Sequence, residues 1–402
     1  MRTANTTRAV RLAAAATAAA LMFPAGPAAA EPVEPGFYAP AADLVAGEHG
    51  TVIQARSITG DPAVAGARNH LVLYRSVNMQ GQPVAVSGTV AVPEGTPPPG
   101  GWPLISWAHG TTGVADVCAP SRDTGPDFPA HAYTALVRDT QARLIAAGYA
   151  VAQTDYQGLG TAGEHGYLIG DTEMRAVADM ALAARAVAPE IGTRWASVGH
   201  SQGGQAAIYT AARAQGWAPG LELLGAVAEA PASHQGLIAL AGPLAGTTGA
   251  SPLPQVSNAF LPLMIRGAQT VAEVDPARFL APEGLELLPQ ADTRCIDGLR
   301  EPDSWAGRPL SALFRAGADT TALGAVLNDN DASNLTYTVP VLVVQGTGDT
   351  VVPPAGTDAM VAQQRLTGQP VEYRDYPGVD HRGILAAAND DVVAWLDSRF
   401  SR

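Results

Sequence analysis

The chain has 402 residues, a formal net charge of −13, 47% hydrophobic and only 15% charged residues. That balance suits a folded globule with a sizeable core and excludes a disordered chain, while the acidic excess argues against nucleic acid as a partner. No lysine occurs, so all 24 basic residues are arginine, which we read as coding bias and not as a functional demand.

The first thirty residues have the grammar of an export signal: Arg2, Arg8 and Arg11, then an apolar core from Leu12 to Phe23, then Ala28-Ala29-Ala30. Cleavage after Ala30 is expected, giving a secreted protein. The apolar stretch is shorter than the ~20 residues that cross a bilayer, so a stable membrane anchor is not expected. The two cysteines, Cys118 and Cys295, would then meet an oxidising compartment, where an even pair tends to be bridged.

After a Pro-rich lead-in, period-two patterns over 70–76 and 83–92 predict a β-hairpin at a sheet edge. Short apolar runs bounded by turns follow at 103–108, 149–154, 195–199, 223–228, 339–345 and 371–376, and read as buried parallel strands. Helical spacing alternates with them at 135–147, at 171–188 behind a capping-type Asp171, at 203–214 and at 355–366. Strand-helix alternation implies right-handed crossovers and a doubly wound, mostly parallel α/β sheet with its site at the carboxyl ends of the strands. The rhythm breaks over 233–338, where apolar clusters such as Leu237, Ile238, Leu240 and 260–265 lack a strand pattern. A helical cap over the site is expected there, inserted into one catalytic body formed by 31–232 and 339–402.

The chemistry is carried by Gly199-His200-Ser201-Gln202-Gly203, preceded by a strand pattern and followed by a helical one. This is G-x-S-x-G in the context it requires: a sharp strand-to-helix turn exposes the serine oxygen, and glycines permit the crowding. Serine needs a base within reach and a third group to fix that base's tautomer. In this fold the order is serine, acid, histidine, and only His234 and His381 follow Ser201. His234 comes too early, whereas His381 sits in a turn-rich loop after the last strand. Asp349, directly after a buried apolar strand, is the expected acid; Asp329 and Asp331 precede that strand, and Asp380 points elsewhere in most backbone geometries.

Acyl transfer also needs backbone donors for the oxyanion. Gln202, after the nucleophile, fits the first place. The strand 103–108 ends in His109-Gly110-Thr111-Thr112-Gly113, which supplies the second from Thr111 or, failing that, Thr112. The histidines are scattered, H-E-x-x-H is missing, and Gly158-Leu159-Gly160 lacks a full dinucleotide fingerprint, so no metal and no cofactor are expected.

At these residues the chain resembles the secretory lipase family, α/β-hydrolases typified by fungal lipase A. The likeness is carried by Ser106-Trp-Ala-His-Gly-Thr-Thr-Gly, Cys118-Ala-Pro-Ser, Thr154-Asp-Tyr-Gln-Gly-Leu-Gly, the Ser201 elbow, Gly346-Thr-Gly-Asp and Tyr376-Pro-Gly-Val-Asp-His. The resemblance implies a Ser201-Asp349-His381 triad, a helical lid before the acid strand, a Cys118–Cys295 bridge and activity on acylglycerols or other fatty esters, in contact with a lipid–water interface. Fungal members differ over 109–112, which leaves the second oxyanion donor open between Thr111 and Thr112. An acyltransferase or polyester hydrolase would use the same triad. A non-catalytic binding protein on the same scaffold would have no need for nucleophile, base, acid and oxyanion loop together.

Overall fold

The computed structural model describes Met1, residues 35–248 and residues 254–401. The expected export signal, residues 1–30, lies outside the described residues apart from Met1.

Among the described residues nine strands form one sheet in the order β1-β2-β3-β5-β4-β6-β7-β8-β9. They are β1 Val52–Ile58, β2 Ala67–Val77, β3 Pro83–Pro93, β4 Trp102–Ala108, β5 Ala150–Thr154, β6 Ile191–His200, β7 Glu222–Glu229, β8 Val341–Gly346 and β9 Val371–Tyr376. The antiparallel pairings β1–β2, β2–β3 and β3–β5 occupy one side, and every pairing from β5 to β9 is parallel. The predicted hairpin is present as β2 and β3, paired from Ala67↔Pro93 to Val77↔Pro83. It is not the edge, because β1 pairs outside it. All side chains of β1 stay at least partly exposed. The same holds for β9, predicted as a buried strand: it is the opposite edge, pairs only with β8 and has no buried residue.

Alternation along the central strands separates two cores, one on each face of the sheet. In β8, Val341 and Val343 join the core beneath the helices Gly170–Val187 and Gln202–Trp217. Leu342 and Val344 join the opposite core, with Ile105 and Trp107 of β4 and with the helices His131–Ala146 and Asn389–Phe400. Both faces are therefore covered, as a parallel sheet requires. The helix expected to open at Asp171 opens one residue earlier at Gly170, and its N-cap is Ile169 with no side-chain cap. Asp171 lies in the first turn, where it pairs with Arg213 at 2.5 Å.

Between β7 and β8 the described chain is helical, including the helices Gln235–Thr248, Leu261–Gln269 and Thr321–Asp329. These elements share a third core containing Leu263, Ile265, Leu280, Leu299, Trp305 and Leu313. A core of its own explains why the segment holds a shape over the carboxyl ends of the strands instead of behaving as a loop.

Candidate active site

Ser201 joins β6 to the helix Gln202–Trp217 with φ 61° and ψ −116°, a conformation that costs a non-glycine residue on the order of 1–3 kcal/mol and is held only by its surroundings. Those surroundings are backbone hydrogen bonds: Ser201 N–H donates to the Glu229 carbonyl at 2.8 Å, and the Ser201 carbonyl accepts from Gly204 at 2.9 Å and Ala232 at 3.1 Å. Both flanking glycines are required by space. A Cβ on Gly199 would stand 2.1 Å from the Gly203 carbonyl oxygen, and one on Gly203 would stand 1.8 Å from that of Ala108.

His381, on the loop after β9, places Nε2 2.9 Å from Ser201 Oγ. Its Nδ1–H donates to Asp349 Oδ2 at 2.7 Å. Asp349 follows β8 and is 4% exposed. Its Oδ1 accepts from the Val351 and Val352 amides, both at 2.8 Å, and Oδ2 also accepts from Gln345 Nε2 at 3.0 Å. The carboxylate is thus fully occupied and fixed in direction. The three residues singled out in the sequence meet in one chain of hydrogen bonds.

The alternative acids are engaged elsewhere. Asp380 accepts from the Gly383 amide in its own turn, Asp331 caps a short helix through Ser333, and Asp329 is exposed. His234 lines the same cavity as Ser201, with its Nδ1 3.9 Å from Asp331.

Thr111 and Thr112 are placed differently. Thr111 lines a narrow cleft with Ser201 and His381, its hydroxyl 2.8 Å from that of Tyr167. Thr112 is fully buried and its carbonyl accepts from the Ile296 amide at 2.8 Å. Gln202 supplies an amide in the first turn of its helix, where no intrahelical acceptor exists. Cys118 and Cys295 form a disulfide, S–S 2.13 Å, that ties the cap beside Ile296 to the chain following this loop.

Several residues around the site gave no signal in the sequence. His200, the variable position of the elbow, donates from Nε2 to the His381 carbonyl at 2.7 Å, and its Nδ1 lies 3.0 Å from the Tyr133 hydroxyl. That hydroxyl accepts from the Gly110 amide at 2.6 Å, so Tyr133 donates to His200 Nδ1 and one tautomer satisfies the whole relay. Burial, and then the nearby His381, hold His200 well below the ordinary histidine range, so it stays neutral. Behind Gln202, its side-chain amide lies 2.8 Å from Glu173 Oε1 and 3.0 Å from His165 Nε2. Burial pushes the carboxyls of Glu173 and Glu229 up to about 8. Neither oxygen of Glu229 has a hydrogen-bond partner among the described residues.

A mostly apolar cavity of about 260 Å³ opens from Ser201 between core and cap, bounded by Leu168, Leu237, Phe260, Met264, Val351 and Val352. Of the apolar residues in 260–265, Leu261, Leu263, Met264 and Ile265 belong to the cap's own core, and Met264, with Phe260 packed against that core, also reaches this cavity. Away from the site, Asp61, Asp123 and His131 cluster closely enough to hold a cation. Arg138 already occupies the cluster, 2.5 Å from Asp123 and 3.3 Å from Asp61, and a guanidinium there satisfies the acids without an ion.

The family model described as Serine aminopeptidase, S33, matches residues 131–385. Over 395 residues the chain is 27% identical to a probable inactive lipase of Mycobacterium tuberculosis, covering 92% of this chain and 82% of that protein. Lipase A of Moesziomyces aphidis is 26% identical over 407 residues, with the same coverage of each. The fold is similar to that of Candida antarctica lipase A (TM-score 0.67, 20% identity, 86% of this chain and 80% of that one). It is also similar to that of the rice cell wall degrading esterase LipA from Xanthomonas oryzae (TM-score 0.66, 18% identity, 88% and 98%).

Proposed function

We propose, for a chain that belongs to the Serine aminopeptidase, S33, family of α/β-hydrolases and is lipase A-like, that it is a secreted serine hydrolase of carboxylic esters with an apolar acyl group. The observation that carries this reading is the continuous path from Asp349 through His381 to Ser201, at 2.7 and 2.9 Å.

In the proposed reaction Asp349 holds His381 with its proton on Nδ1, leaving Nε2 to take the proton from Ser201 Oγ as that oxygen attacks the ester carbonyl. The oxyanion forms against the Gln202 and Thr111 amides, donors that need no reorganisation because their loops are already fixed. His381 then protonates the departing alcohol. Water, deprotonated by the same nitrogen, releases the acid from Ser201.

The cavity of about 260 Å³ beside Ser201 supports an acyl chain as the group retained on the enzyme. Contact with a lipid–water interface is supported by the helix Gln235–Thr248, where Leu237, Leu240 and Leu244 are 66%, 60% and 52% exposed. Leu237 also lines the cavity, so an apolar surface would be continuous with the acyl site. Export is supported by the Cys118–Cys295 bridge, since disulfides persist in oxidising compartments. The M. tuberculosis relative is named a probable inactive lipase; in this chain all three side chains are present and within hydrogen-bond distance.

Hydrolysis of p-nitrophenyl esters from acetate to palmitate, with a triacylglycerol emulsion alongside, tests the reading. Turnover that rises with acyl length and disappears in Ser201→Ala is expected. Activity that survives in Ser201→Ala overturns it.

A further inference from the structure

Ser201 stands between two unlike spaces. One is the apolar cavity; the other is the narrow cleft bounded by Thr111, Tyr133, Phe260, Arg300, His381 and Arg382. An ester has two arms, and if the apolar cavity takes the acyl chain, the alcohol is left facing the cleft and its two guanidinium groups.

Those groups outnumber the acid that serves them. Arg300 Nη1 lies 2.8 Å from Asp297 Oδ1 and Arg382 Nη2 lies 3.2 Å from the same oxygen. Among the described residues the one carboxylate paired with these two permanent cations is Asp297, in a protein whose net charge is −13. The Arg300 Nε–H is buried without a hydrogen-bond partner among the described residues, although Arg300 as a side chain is 25% exposed. A buried, unpaired guanidinium donor costs free energy in the empty protein and regains it when an acceptor arrives. Arg300 belongs to the segment between β7 and β8 and Arg382 directly follows His381, and both guanidinium groups converge on Asp297. Phe260 and Tyr133 hold them in place, with guanidinium carbons 5.6 and 5.5 Å from the ring centres.

We infer that Arg300 and Arg382 form an anion subsite for the alcohol arm, so that the favoured substrates are fatty esters whose alcohol carries a carboxylate or phosphate group. This inference rests on the ester-hydrolase reading above. Arginine matches both anions because its planar donors can pair with two oxygens at once, and the cleft's position beside His381 puts the charge a few bonds from the scissile ester.

The test uses the full mature chain and two matched pairs of decanoates: propyl decanoate against 3-(decanoyloxy)propanoate, and 1-decanoylglycerol against its 3-phosphate. The charged member of at least one pair should show about tenfold higher kcat/KM, the scale of one charge-assisted contact, and the pair that shows it separates carboxylate from phosphate. That preference should shrink toward unity in both Arg300→Gln and Arg382→Gln, and should weaken as salt is added to the wild-type protein. The salt series keeps the test decisive if a variant fails to fold. Equal or slower hydrolysis of both charged esters, or a preference insensitive to salt and to both substitutions, overturns the anion subsite while leaving the ester-hydrolase reading intact. Failure of the wild-type protein to hydrolyse any of the four overturns both.

Discussion

His200 and His381 lie with ring centroids 4.6 Å apart, and the first donates from Nε2 to the carbonyl of the second at 2.7 Å. Two neighbouring imidazoles thus have different tasks: one is buried, neutral and spent on backbone, the other is free at Nε2 to meet Ser201. His200 is a positioning residue. His200→Leu should lower kcat by roughly 10- to 100-fold, the cost of a misplacement of about 1 Å in a reacting group, with little change in KM. A fall in kcat with KM and melting temperature near wild type is the expected signature; a lowered melting temperature with KM changing alongside kcat would reduce His200 to a fold residue.

Asp349 accepts four hydrogen bonds in a buried pocket. Asparagine fits the same space but presents an amide where His381 needs an acceptor, which favours the wrong tautomer. Asp349→Asn should therefore lower kcat on the order of 10⁴-fold, with circular dichroism and KM near wild type. Steady-state kinetics on a soluble ester checks this.

Glu229 is a buried acid without a hydrogen-bond partner among the described residues, and burial raises its folded-state value to about 8 from the ordinary 4.5. The sign follows from linkage. Between these two values the folded protein holds a proton that the unfolded chain has released, so stability falls as pH rises through the window. The loss attributable to this group approaches about 3 kcal/mol at neutral pH. Glu229→Gln removes that titration. The difference in melting temperature between the variant and wild type should grow in the variant's favour from about pH 5 to about pH 8, and a difference that stays constant with pH contradicts it.

The Cys118–Cys295 bridge closes a loop of 177 residues and ties the cap to the segment carrying Thr111. Replacing both cysteines by serine should cost about 2–5 kcal/mol of stability, read as a lowered denaturant midpoint. Reductant should reproduce the loss in wild type and have no effect on the double variant.

The legible parts of the molecule were those in which the sequence states a local physical demand. The elbow is one, because two glycines that no other residue can replace flank Ser201. The strands β4 to β8 are another, because burial on both faces leaves continuous apolar runs. Neither edge strand has a buried residue: β9 stood out by its place in the strand-helix alternation, and β1, outside that alternation, gave no signal. The helix predicted to open at Asp171 opens at Gly170; an acidic residue in a first turn resembles a cap even when its side chain turns outward to Arg213. That Thr111 lines the cleft while Thr112 is buried is a matter of loop geometry that spacing does not encode. His200, Tyr133 and Glu173 were illegible for a stronger reason: each acts through partners distant in sequence, so no window of the chain contains the relationship.

The central claim is that Ser201 is a nucleophile activated by His381, and its most direct test is covalent. The mature protein should be treated with a fluorophosphonate and the adduct mapped by peptide mass. One adduct on Ser201 is predicted, missing from Ser201→Ala and formed far more slowly in His381→Ala. No adduct, or one that persists in Ser201→Ala, would contradict the account.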